Sequence, residues 1–177
     1  MSKKGNFLQD PYFERLRDFL KESNNESDRG KALVVASLIE EMLEEILTNF
    51  MLDNKAVKKL FNVPNAPLSN LSSKTLLCRA LGLINEAEFR EIEIIRKIRN
   101  SFAHNVLCSF KDERIADISK SLMAGMSYVD ALEKGHKSRI DEPRSRFSAA
   151  STSLVFGLYN RSTYVFRIKI AESKFPI

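Results

Sequence analysis

The run from Val35 to Phe50 constrains this chain more than any other part of it. Leu38, Met42, Ile46 and Phe50 recur every four residues, and Val35, Ile39, Leu43 and Leu47 lie beside them. That spacing paints one wide apolar stripe along an α-helix. Glu40, Glu41, Glu44 and Glu45 line the opposite side. The pattern predicts a helix over Asp28–Leu52, about 37 Å long at about 1.5 Å per residue. A helix of that length needs other elements to cover its stripe, so it reads as the spine of a bundle.

The other segments read as covering helices. Pro11 suits a first helical position, and Phe13, Leu16, Phe19 and Leu20 follow on one face. The polar run Glu22–Asp28 is a loop in which Ser27 or Asp28 caps the long helix. Asn54–Phe61 is a short helix, and Pro64 and Pro67 break the chain after it. Ser72 or Ser73 is expected to cap a helix ending near Leu81, with Gly82 just past its end. Asn85 and Glu88 are spaced as a capping box, followed by a buried face of Ile92, Ile95, Ile98 and Phe102. In that helix the acids Glu86, Glu88, Glu91 and Glu93 come first and Arg96, Lys97 and Arg99 last, an order that complements the helix dipole.

Lys111–Met123 is expected to be helical with Ile115, Ile118 and Leu122 inward, and 124–143 to be a mobile connector. Phe147, Ala150, Leu154 and Leu158 resume helical spacing. Phe166, Ile168 and Ile170 alternate with Arg167 and Lys169 as in a strand, although continuation of the helix to about Phe166 is preferred. The expected fold is all-α, a bundle of about six to seven helices on the long second helix. Residues 1–125 form the core, and 126–177 a basic connector and helix packed on the same domain.

Composition narrows the class. Cys78 and Cys108 make no disulfide framework and suit a reducing cytoplasm. The segment MSKKGNFLQDPY has no apolar signal region, and no apolar run is long enough for a membrane helix. The net charge of +5 is concentrated late: from Lys134 onward there are nine Lys and Arg against three acids. Lys137, Arg139, Arg144 and Arg146 are therefore candidates to meet a phosphate backbone or an acidic partner. The alternative is an ordinary solvated helix face.

Most familiar sites are missing. His104 and Cys108 lack a second ligand pair, so no metal is expected. No phosphate loop, dinucleotide fingerprint or nucleophile elbow occurs, and no cofactor is expected. The two helices around Gly82 resemble a helix-turn-helix in spacing only. The second would enter DNA with Glu86, Glu88, Glu91 and Glu93 leading, which phosphates repel, so sequence-specific DNA reading is not expected.

One constellation remains: Arg99-Asn100-Ser101-Phe102-Ala103-His104. Arg offers a guanidinium fork for a phosphate, His a proton carrier, and Asn a neutral group that orients either. That set suits metal-free phosphodiester cleavage by an internal 2′-hydroxyl. Arg99 and His104 stand about 140° apart on a regular helix, so one ligand meets both only if the helix frays or a second subunit contributes. A capping role for His104 and an ion pair for Arg99 explain the same residues structurally.

Five short stretches resemble the mannitol-operon repressor family: SDRGKAL from Ser27, LIEEML from Leu38, PLS from Pro67, ALGLI from Ala80 and IRNSFAH from Ile98. More loosely, the chain is similar to the HEPN superfamily of helical RNA-associated domains, through Arg-x4-His. The first resemblance implies a cytoplasmic negative regulator of gene expression acting through a protein or RNA partner. The second implies a homodimeric, metal-independent endoribonuclease in which Arg99 holds the phosphate, His104 moves the proton and Asn100 supports them. If the long helices pack antiparallel, Asp28, Arg29 and Glu40 join Arg99, Asn100 and His104 in one polar cluster, with Asp28 or Glu40 orienting His104.

Overall fold

The computed structural model describes residues 11–123 and 142–171. They form seven α-helices and no strand: α1 Pro11–Glu22, α2 Asp28–Phe50, α3 Lys55–Phe61, α4 Leu71–Ala80, α5 Glu86–His104, α6 Glu113–Lys120 and α7 Pro143–Val165. Short 3-10 turns occupy Ser23–Asn25 and Phe166–Ile168.

The stripe on α2 does what its spacing demands. Val35, Ile39, Met42, Leu43, Ile46 and Leu47 are buried, and α4, α5 and α7 pack around them. Ile92, Ile95, Ile98 and Phe102 come in from α5, and Phe147, Leu154, Val155 and Leu158 from α7. Each such side chain contributes about 1.5–3 kcal/mol by leaving water. The acidic side of α2 is also partly covered. Lys74 of α4, only 5% exposed, places its ammonium 3.0 Å from Glu40 and 2.8 Å from Glu44. Burial pulls its pKa down, but hydrogen bonds to Glu44 and Glu40 outweigh that and hold it above the ordinary lysine value. This pairing fixes α4 on α2 with a charged contact inside an otherwise apolar interface.

Local chemistry sets the ends. Ser27 accepts from Gly30 N–H at 3.0 Å, and Asn85 with Glu88 forms the expected capping box. The cap of α4 is Asn70, not Ser72 or Ser73: its side chain accepts from Ser73 N–H at 3.0 Å. Starting the helix at Leu71 puts that apolar side chain into the core. Gly82 follows α4 with a φ of 69°, the left-handed conformation that glycine adopts without strain.

The last helix continues to Val165, and the alternating residues beyond it are not a strand. Ile170 N–H donates to the carbonyl of Phe50 at 2.9 Å, tying the segment to the end of α2. Helix α6 is shorter than Lys111–Met123, because the residues before it form a loop held by side chains. The connector expected over 124–143 lies, up to residue 141, outside the described residues. Among the described residues no helix is long and apolar enough to cross a membrane.

Candidate functional site

Helices α2 and α5 run antiparallel, so the start of one meets the end of the other. Arg29 donates from its Nη2 to the carbonyl of Ala103 at 3.3 Å, satisfying a free acceptor at the end of α5. Asp28 is the hub beside it. Its Oδ2 accepts from Ser109 Oγ and Phe110 N–H, both at 3.0 Å, and its Oδ1 pairs with Arg144 from the start of α7. Burial raises the Asp28 pKa, but the Phe110 N–H, Arg144 and Ser109 outweigh it and hold the carboxyl below its ordinary value. Beside the hub Phe102, Phe110 and Phe147 pack in sequence as tilted rings, with centres 5.0 and 5.2 Å apart. One carboxylate and three rings thus join α2, α5, the α5–α6 loop and α7.

The loop after α5 is consequently well defined. Leu107 N–H donates to Asn105 Oδ1 at 3.1 Å, and Ser109 N–H to Asp112 Oδ2 at 3.0 Å. Yet Val106 and Leu107 are 81% and 89% exposed. Beside them an open cavity of about 590 Å³ lies between α5 and α6, with Lys97, Asn100, Ser101, His104, Arg114 and Ile118 among its walls.

His104 is exposed, and Asn100 lies one turn before it on the same cavity. Arg99 is half-buried and donates to Asn100 Oδ1 at 3.1 Å. The Cys108 thiol in the wall is pushed up by burial and by Asp112, so it is a poor nucleophile. Cys78, deep in the core, is pushed up to about 12 by burial.

The structure brings together only part of the expected cluster. Asp28, Arg29 and the end of α5 share one end of the bundle. Glu40 does not: twelve residues further along α2, it takes Lys74 instead. Asp28 does not orient His104, because its oxygens serve Ser109, Phe110 and Arg144.

The expected basic surface is also changed. Arg144 further donates to the carbonyls of Asn24 and Glu26, and Arg146 to that of Lys120. Arg161 binds Glu88 Oε1 at 2.9 Å and the carbonyl of Leu83 at 3.0 Å. These arginines clamp α7 to its neighbours; Lys137 and Arg139 lie outside the described residues.

Sequence reasoning missed Lys31. It is 2% exposed and donates to Asn24 Oδ1. Burial, helped by the nearby Arg144, lowers its pKa to about 8. Its position four residues before Val35, in line with the stripe, was the available signal. Among the described residues no group of His, Cys, Asp and Glu is arranged to hold a metal.

The described residues thus define an all-helical bundle with a central buried helix and a polar, loop-bearing end. Among solved structures it is similar to a chain in the X-ray structure of the MtlR–HPr complex from Escherichia coli. The TM-score is 0.62 at 22% identity, over 81% of this chain and 97% of that one, a likeness that establishes an MtlR-like fold. No family model and no curated protein sequence matches the chain.

Proposed function

We propose that this chain is a cytoplasmic regulator of the mannitol-repressor kind, acting on gene expression by docking on a protein partner, with HPr the first to test. The observation that carries this reading is the fold: its structural neighbour is a protein seen in complex with HPr. The α5–α6 loop supports it. Val106 and Leu107 stand almost fully in water on a loop anchored through Asn105, Asp112 and Asp28, so displaying them costs little ordering on binding. Regulation through a partner also agrees with the charge on α5, whose first turn carries Glu86 and Glu88. The test is co-elution of the chain with purified HPr in size-exclusion chromatography. Co-elution lost on Leu107→Asp supports the reading, and independent elution at high concentration contradicts it.

A second reading, metal-independent RNA cleavage, is favoured by one observation: His104 is exposed on an open cavity with Asn100, which holds Arg99. Arg99 would bind the phosphate and His104 exchange the proton, completed by a second subunit in a homodimer. Incubation with labelled RNA in EDTA tests it. Cleavage to 2′,3′-cyclic ends that His104→Ala abolishes would establish it, and intact RNA would reject it.

A further inference from the structure

The cavity between α5 and α6 has a chemistry of its own. Lys97, Ser101 and His104 are spaced four and three residues apart, so they share one face of α5. Arg114 and Ile118 are four apart on α6 and form the facing wall. Neither Lys97 nor Arg114 has an ion-pair partner among the described residues. The acid in the wall, Asp112, accepts from Ser109 N–H at 3.0 Å and from the Cys108 thiol. Neutral donors do not cancel the Asp112 charge, so Lys97 and Arg114 leave the walls with a net excess of one positive charge, and Glu93, four residues before Lys97, acts on its ammonium through space.

We infer that this cavity binds a small phosphomonoester, its phosphate held between Lys97 and Arg114 and its organic body against Ile115 and Ile118. Three features lead to that class. Two cations approach from opposite helices, which suits a dianion with three free oxygens better than a single-charged carboxylate. Asn100, whose Oδ1 is taken by Arg99, offers its amide N–H on the same wall, while the Ser101 hydroxyl donates to the carbonyl of Lys97 at 3.2 Å. Ile115 and Ile118 make part of the remaining wall apolar beside Asn105, Cys108 and Asp112, and a volume of about 590 Å³ lies within the usual range for small-molecule sites. The site stands independently of the partner reading, because binding is measured on this chain alone.

An internal RNA phosphodiester offers the same phosphate chemistry, so the experiment separates the two sources. Isothermal titration would use inorganic phosphate, glucose 6-phosphate and AMP, with glucose, adenosine and a ten-residue oligoadenylate RNA as comparisons. At least one phosphomonoester is expected to bind saturably while its phosphate-free counterpart does not. Lys97→Ala and Arg114→Ala should each weaken that binding about tenfold, as loss of a charge-assisted hydrogen bond does. Lys120→Ala, on an exposed residue paired with Asp117, should leave it unchanged. Thermal melts matching wild type would show that the cavity variants fold. Absence of saturable binding by all three phosphate probes overturns the proposal, as does binding that both cavity variants retain. Binding of the RNA alone, weakened by both variants, also overturns it and assigns these cations to a nucleic-acid backbone.

Discussion

Arg144 and Asp28, 116 residues apart in sequence, form an ion pair that joins the start of α7 to the start of α2. Both side chains are mostly covered, at 31% and 27% exposure. Removing either leaves the other poorly matched. Arg144→Ala and Asp28→Ala should each cost about 2 kcal/mol, and a double-mutant cycle should show coupling of about 1–2 kcal/mol. Urea unfolding of the four proteins measures both.

The same pair carries a pH signature. The folded pKa of Asp28 lies below its unfolded value, so its stabilisation is fully present above the ordinary aspartate range. It is lost as pH falls through the lower, folded value. Urea midpoints at about pH 6 and about pH 3 should converge between wild type and Asp28→Asn at the acid end.

Lys31 should behave in the opposite way. Its pKa falls from 10.5 to about 8 on folding, so the buried charge is a penalty at neutral pH. Stability should rise between about pH 8 and about pH 10 as the folded state gives up this proton first, by up to about 3 kcal/mol. Lys31→Met, of similar shape, should be more stable than wild type by about 1–3 kcal/mol at neutral pH, with the difference shrinking as pH rises. Denaturant titrations across that range check both slopes.

Lys74 presents the contrasting buried lysine. Replacing it with Met leaves Glu40 and Glu44, one turn apart on α2, facing each other without a cation. Lys74→Met should cost about 2–3 kcal/mol, and adding Glu40→Gln should recover part of that. Thermal unfolding of the single and double variants measures the recovery.

Much of the architecture was legible because it rests on period and caps. The α2 stripe, the Asn85–Glu88 box and Gly82 each act within a few residues, and local chemistry fixes them. Choosing Asn70 over Ser72 was harder, because several side chains in a row can cap. The site was less legible because its bonds span the chain. Charge counting cannot distinguish an arginine facing water from Arg144, whose partners lie about 120 residues away, or Arg161, bound to Glu88. Glu40 was misplaced for the same reason: its partner, Lys74, belongs to another helix. Lys31 interrupted an apolar face, a pattern that marks either a surface end or a buried charge until the covering loop is seen.

The most direct test of the partner-binding account is isothermal titration of this chain with purified HPr. The account predicts saturable binding with a Kd of order 10 μM or tighter, weakened at least about tenfold by Leu107→Asp without change in thermal stability. Absence of saturable binding at about 100 μM, or binding unaltered by that substitution, would contradict it.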